Sequence, residues 1–490
     1  NLKPLDDQEL KLIFQQFNAE DVGIPGGNGV FPANATVRYP EERRKMFSAE
    51  YDINNISNSL RKISAKYFYQ YMLRDVENIP HQVKTVAASN GQPAKRVNVL
   101  EIDPTAEHNS YGLQFQSDFT LGSNYYLIAG VDYWQRRYTG IRTNSQKIEV
   151  LGANGATVKT MYKTTYDKAL PDATYGSTGF FVNNEIGLIE KKLKLLLGGR
   201  FDLINIKNDE TKSPLYDITD GTVNYTPAGQ TILWKAGTAK NTSYTYSAGL
   251  LYSLSEHSSL SFNAARSFRS PSLEERYQYI DQGSYIRIGD PQLKPEKGYF
   301  LDLGLRTNGN GLRTRASIFY NYLNDLVTEI TGTYQGRNAF IKTNIGEASI
   351  YGFELETSYD VLSTLGVYNT ISFVRGKDLK AKNDLPQIPP LNGNAGIRFY
   401  LIKEMTADIS AVYFAAQNKV APGEIKTPGY VYFNIDISSS MINLGPLNLR
   451  LICGAENILN KEYRNHLSTN RGSITTEPGR NIYIKTNIAW

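Results

Sequence analysis

Two carboxylate pairs in this chain sit close enough for proton chemistry. Glu274 and Glu275 are adjacent, and Glu354 and Glu356 occur in "YGFELE" (351–356). Residues two apart on a strand share a face at about 7 Å, a range at which one carboxyl can act as acid and the other as base. Nothing around them completes an active site. The chain has no GxxxxGK[ST], HExxH, CxxC or GxSxG. Its four histidines, His81, His108, His257 and His466, are scattered. No enzyme, cofactor or metal site is expected, and the carboxylates read as solvated charges on a polar wall. The remaining chemistry is recognition. "YQYIDQGSYIRIG" (277–289) and "YWQRRYTGIR" are rich in Tyr and Arg, which suit an anionic or aromatic ligand. Tyr277, Tyr279, Tyr285 and Arg287 are the candidate ligand-facing residues.

The elements that carry these residues alternate with period two. "YFLDLGLRT" puts Tyr299, Leu301, Leu303 and Leu305 on one face and Phe300, Asp302, Gly304 and Arg306 on the other. "YVYFNIDISS" opposes Val431, Phe433, Ile435 and Ile437 to Tyr430, Tyr432, Asn434 and Asp436. Such alternation predicts strands with one apolar and one wet face. The pattern recurs about seventeen times between residues 46 and 490, often over more than the ten or so residues a tilted strand needs to cross a bilayer. The wet face carries Asp132, Arg200, Asp202, Glu354, Glu356, Arg398 and Asp408. A dry core would hold these charges only at a high desolvation cost, whereas a polar lumen holds them easily. Residues 1–45 read as an external-loop segment. Within it, "DDQELKLIFQQF" (6–17) spaces Leu10, Phe14 and Phe17 as a short helix would.

The connections fall into two classes. "TLGSN", "EKKLK", "SLSEHSS", "TNGNGLR", "DVLSTLG" and "YLIKEMT" are short, while 139–177, 207–241 and 270–296 are long and polar. Short turns on one rim and long loops on the other predict an all-β, antiparallel transmembrane barrel in an outer membrane. The composition agrees. The mean hydropathy is −0.40, yet there are 34 Tyr and 20 Phe. Aromatic residues suit membrane interfaces, and only alternate residues of a barrel strand meet lipid. A single cysteine, Cys453, excludes an intramolecular disulfide framework. The net charge of +5 is small for 490 residues, and no dense basic cluster points to nucleic acid.

At this level the residues resemble a family. "SFRSPSLEERY" followed by "GDPQLKPE" is similar to the strand–loop–strand signature of TonB-dependent outer-membrane receptors, carried here by Phe268, Arg269, Pro271, Asp290, Pro291, Leu293, Pro295 and Glu296. "GAENILNKEYRNHLSTNRG" (454–472) and "EPGRNIYIKTNIAW" (477–490) resemble the family's last two strands, in a form similar to its Bacteroidota branch. The terminal Trp490 resembles the signal read by the barrel-insertion machinery. The resemblance implies a barrel of about twenty-two strands around a plug domain. It implies uptake of a scarce nutrient, such as a ferric siderophore, a cobalamin or a metal chelate, driven by the TonB-ExbB-ExbD complex through the plug. It also implies that Asp132, Arg200, Asp202, Glu354, Glu356 and Arg398 contact that plug. A haem receptor of this family is expected to carry a His between the two motifs, and residues 272–289 have none. No plug is recognisable, so the expectation is a partial chain or a plugless relative, with Asn1 as first residue favouring the former. Outer-membrane lipid is the expected surrounding, and a surface lipoprotein or larger outer-membrane complex the further partner. The alternative function is a receptor-like barrel serving as a structural subunit of such a complex without transport.

Overall fold

A computed structural model describes residues 2–23, 35–89, 91–281, 285–469 and 476–489. Eighteen long strands follow one another around one sheet. They are β1 (Gln8–Gly23), β2 (Thr36–Asn54), β3 (Leu60–Asp75), β4 (Lys95–Leu121), β5 (Tyr125–Leu151), β6 (Ala173–Ile189), β7 (Leu193–Asn208), β8 (Gly237–Ser253) and β9 (Ser258–Arg269). They continue as β10 (Glu296–Gly309), β11 (Leu312–Tyr334), β12 (Arg337–Leu362), β13 (Leu365–Asp378), β14 (Asn392–Tyr400), β15 (Thr406–Phe414), β16 (Tyr430–Ser438), β17 (Leu447–Glu456) and β18 (Asn481–Ala489). Each pairs antiparallel with the next. In hydrocarbon every backbone polar group needs a partner, and an up-and-down antiparallel ladder supplies one for each.

The alternation sorts the faces as the sequence suggested. Leu301, Leu303 and Leu305 point outward and are 48, 45 and 39% exposed, as lipid-facing side chains are. Phe47–Tyr67 and Tyr111–Tyr133 are outward cross-strand pairs with ring centroids 6.5 and 6.3 Å apart. Opposite them, Asp132, Arg200 and Asp202 face the lumen. Five short connections share one rim, although β11 and β12 are joined at the other by the two-residue turn of Gln335 and Gly336. Residues 122–124, 190–192, 254–257, 310–311 and 363–364 each link two strands. Asn310 and Gly311 both have positive φ, at 55 and 76°, the geometry of a two-residue hairpin turn that follows the sheet's twist. The other rim overhangs. Strands β4 and β5 have 27 residues each, about 90 Å of chain at 3.3 Å per residue, well beyond a bilayer.

One expectation is corrected. Residues 8–23 form strand β1, not a helix in an outer loop, so strands begin well before residue 46. Leu10, Leu12 and Phe14 alternate outward opposite Tyr51, Ala49 and Phe47, while Lys11 faces the lumen and reaches Asp52 at 3.3 Å. The spacing of Leu10 and Phe14 satisfies a four-residue helical step and a doubled strand step equally, and pairing with β2 decides between them.

The main buried apolar cluster is not between sheets but in the mouth of the long-loop rim. Ile204, Ile206, Tyr138 and Ala173 from the strands meet Trp234, Leu273, Tyr277, Ile286 and Ile288 from the connections.

Candidate functional site

The connection 270–295 builds this cluster. Pro271 is fully buried, and Ser272 then caps the helix α1 (Leu273–Tyr277). The Glu275 N–H donates to Ser272 Oγ at 3.2 Å, and the Ser272 N–H donates to Glu275 Oε2 at 2.8 Å. This reciprocal box satisfies two otherwise orphaned donors at the start of a five-residue helix. Leu273 and Tyr277 are 1 and 4% exposed, and Tyr277 meets Trp234 edge-on at 6.0 Å. The parity that puts Asp132 and Arg200 in the lumen also puts Arg136, Tyr138, Ile204 and Ile206 there. So α1 folds inward, against the inner wall of β5–β7. Arg136 Nη2 donates to Glu274 Oε1 and Oε2 at 3.1 and 3.2 Å. Further on, Tyr279–Asp281 pairs with Ile286–Ile288, which runs parallel to Ala339–Ile341 of β12. The connection therefore bridges the mouth from the β5–β7 wall to β12.

The sequence motifs turn out to be the two jaws of one clamp. Arg269, at the end of β9, donates through Nη1 to Glu275 Oε2 at 2.8 Å and through Nε to Glu296 Oε2 at 2.6 Å. Glu296, its register partner at the start of β10, also accepts the Val327 N–H at 2.8 Å. Asp290 Oδ1 accepts the Gln292 N–H at 2.8 Å, and the Arg276 guanidinium donates to the Pro291 carbonyl at 2.6 Å. Leu293 is 3% exposed. Phe268 packs against the mouth cluster, and Pro295 is half-buried one residue before β10. Gly289 is required by space: a Cβ there would lie 2.6 Å from the Arg276 carbonyl carbon and 2.7 Å from the Glu275 oxygen. Burial works to raise the Glu274 and Glu275 carboxyls, but Arg136 and Arg269 respectively outweigh it and hold both below the ordinary carboxylate range. Trp490 lies outside the described residues.

The candidate ligand-facing residues divide. Tyr277 is a packing residue of the mouth cluster rather than an open contact, because the inward fold of α1 covers its ring. Tyr279 is partly covered by Tyr334, at 6.2 Å. Tyr285 and Arg287 form an open group with Phe340. Tyr285 meets Phe340 edge-on at 5.0 Å, and Arg287, 42% exposed, lies 5.7 Å from the same ring and 3.7 Å from Glu329. Sequence reasoning missed Phe340, Glu329 and Trp234, which nothing near them in the chain marks. It had flagged the segment holding Arg136 without the ion pair.

The six lumen charges also divide. Arg200 joins Asp132 and Asp202, each at 2.6 Å, its guanidinium lying where a Cβ on Gly179 would stand 2.0 Å from Nη2. Arg398 pairs with Asp408 at 3.0 Å, and Tyr368 donates to the same carboxylate at 2.5 Å. Glu354 and Glu356 remain open. They line a lumen recess of about 440 Å³ with Arg315, which is 3.8 Å from Glu356. Glu356 is 65% exposed, so this pair is solvated, as a wet wall requires.

Comparison with known proteins agrees with this architecture. The family model described as "TonB dependent receptor-like, beta-barrel" matches residues 3–457. A curated relative, the TonB-dependent heme receptor A of Haemophilus influenzae, is 24% identical over 337 residues, 60% of this chain. The match spans 42% of that relative's length. Among solved structures, the copper transporter OprC superposes with a TM-score of 0.73 at 18% identity, covering 99% of this chain and 72% of OprC. The ferric citrate transporter FecA superposes at 0.64 with 15% identity, covering 99% and 68%. The chain belongs to the TonB-dependent receptor family, as the β-barrel of an outer-membrane protein.

Proposed function

We propose that this barrel serves energised uptake of a scarce nutrient, a metal-bearing chelate or a cobalamin, and does no bond chemistry itself. The observation that carries the reading is the clamped connection 270–295, which narrows the mouth above a lumen walled by charge. Tyr285, Arg287 and Phe340 are the groups on that connection and its neighbour that would meet an anionic or aromatic ligand. The names of the relatives include a heme receptor, a copper transporter and a ferric citrate transporter, which supports a metal chelate as the class. Ser272–Gly289 contains no His, the haem-iron ligand that the family resemblance would place there, which disfavours haem as the cargo. Asp132, Arg200, Asp202, Glu354, Glu356 and Arg398 are proposed to hold a plug domain by hydrogen bonds and ion pairs. Through that plug the TonB-ExbB-ExbD complex would act, and the C-terminal strand would engage the insertion machinery. The test is a deletion of the gene, with growth followed under iron, copper and cobalamin limitation in turn. The reading expects a defect under one limitation, restored by the intact gene. Equal growth under all three overturns it.

A further inference from the structure

The overhanging sheet beside the clamp carries a second recess. It measures about 800 Å³ and lies on the inner side of β4 and β5, with Val97, Val99 and Ile102 as apolar floor and Ile280 of the connection 270–295 as roof. Its charged pair, Arg142 and Asp167, is satisfied internally by two bonds of 2.7 and 2.6 Å. Among the described residues, one of its polar groups is buried without a partner, and one exposed charge has no counter-ion. Asn78 Oδ1 is buried in the lining without a hydrogen-bond partner. Lys84 is exposed, and among the described residues no carboxylate stands within ion-pair distance of it.

The short strand Gln82–Val86 forms one wall. It pairs with Lys95–Val99 on one side and, among the described residues, with nothing on the other. All five residues are exposed, and alternate ones, Gln82, Lys84 and Val86, line the recess. A bare ladder edge next to an apolar trough is a template for one more strand. A compact chelate could fill the trough but has no row of donors and acceptors to complete the ladder.

We infer that this recess binds an extended peptide segment, which adds as a strand to the Gln82–Val86 edge. Its alternate apolar side chains enter the valine-lined trough. One of its N–H groups satisfies Asn78 Oδ1, and an acidic residue or C-terminal carboxylate pairs with Lys84. The inference does not rest on the uptake reading, because binding at this edge needs neither energy nor a plug.

The test uses the full chain in lipid nanodiscs and a labelled heptapeptide that alternates threonine and valine and ends in aspartate. Hydrogen exchange followed by mass spectrometry reads the edge directly. The expected result is saturable binding with slowed exchange confined to residues 82–86. Lys84→Glu should weaken binding about fivefold at low salt and less at high salt, since rim charges are screened. Val99→Asp, which puts a carboxylate in the trough floor, should weaken it at least about tenfold. Heat-modifiable migration on gels establishes that both variants are folded. No binding up to about 1 mM peptide overturns the inference. So do equal affinities for the two variants and the parent, or binding without protection at 82–86. Protection without peptide that rises with protein concentration and doubles the particle mass also overturns it, in favour of a second copy on the edge.

Discussion

Arg269 shows how one residue makes a motif. It holds Glu275 of the capping box and Glu296 of the next strand at once, so one guanidinium ties α1 to the end of the β9–β10 ladder. Glu275→Gln keeps the shape and removes the charge. It should lower the free energy of local opening across 273–281 by about 1–2 kcal/mol, read by hydrogen exchange, with the barrel strands unchanged. Gly289→Ala should open the same residues, because the three nearest atoms that the new methyl meets are all backbone. The pH dependence follows from the direction of the carboxyl shifts. Glu274 and Glu275 are both held below the ordinary range. Their stabilisation is therefore complete above the unfolded carboxylate range, near pH 4, and is lost as pH falls through their folded values. Opening of 273–281, corrected for intrinsic exchange rates, should be unchanged from pH 7 to about pH 5 and should rise below about pH 4. The motif residues were legible in the sequence because their types are distinctive. The burial of Tyr277 was not, since a Tyr in a polar stretch reads as a surface ring until its partner, Trp234, is known.

At the scale of elements, the strands were legible because lipid and lumen impose opposite chemistry on alternate residues. Leu303 and Asp302 need no tertiary information to be sorted. Strand β1 was misread where a four-residue spacing fits two periods, and only the β2 register separates them. The connection 270–295 was legible as long and specified, but its path was not. The ion pair that turns it inward joins residues 138 positions apart, Arg136 and Glu274, and such a contact leaves no local pattern. The same sorting predicts asymmetric mutational costs. Leu303→Arg, on the lipid face, should cost about 2–4 kcal/mol in reversible unfolding from bilayers. Ser317→Arg, on the lumen wall beside Glu354, should cost under about 1 kcal/mol, because water and a carboxylate receive it. Releasing the inward fold should need only one anchor: Arg136→Ala should raise proteolytic cutting within 272–281 while leaving heat-modifiable migration intact.

For the whole molecule, the sheet holds a wet, charged interior against lipid, and the clamped connection 270–295 fills its mouth together with Trp234 of a second connection. The proposed uptake divides this arrangement into two tasks. The strands would supply the wall, and the connection would supply the selective surface, formed by Tyr285 and Arg287 with Phe340. The match across residues 3–457 places the wall in a family, and the superposition on OprC shows the shared fold. The cargo stays with the proposal, and one measurement tests it most directly. Cells lacking the gene are given it back as the parent or as the Arg136→Ala variant, and uptake of labelled ferric, cupric and cobalamin substrates is followed with and without a protonophore. The account predicts that the parent restores uptake of one substrate, that the protonophore abolishes it, and that the variant restores it less well at equal surface abundance. Equal uptake of every substrate with and without the gene would contradict it.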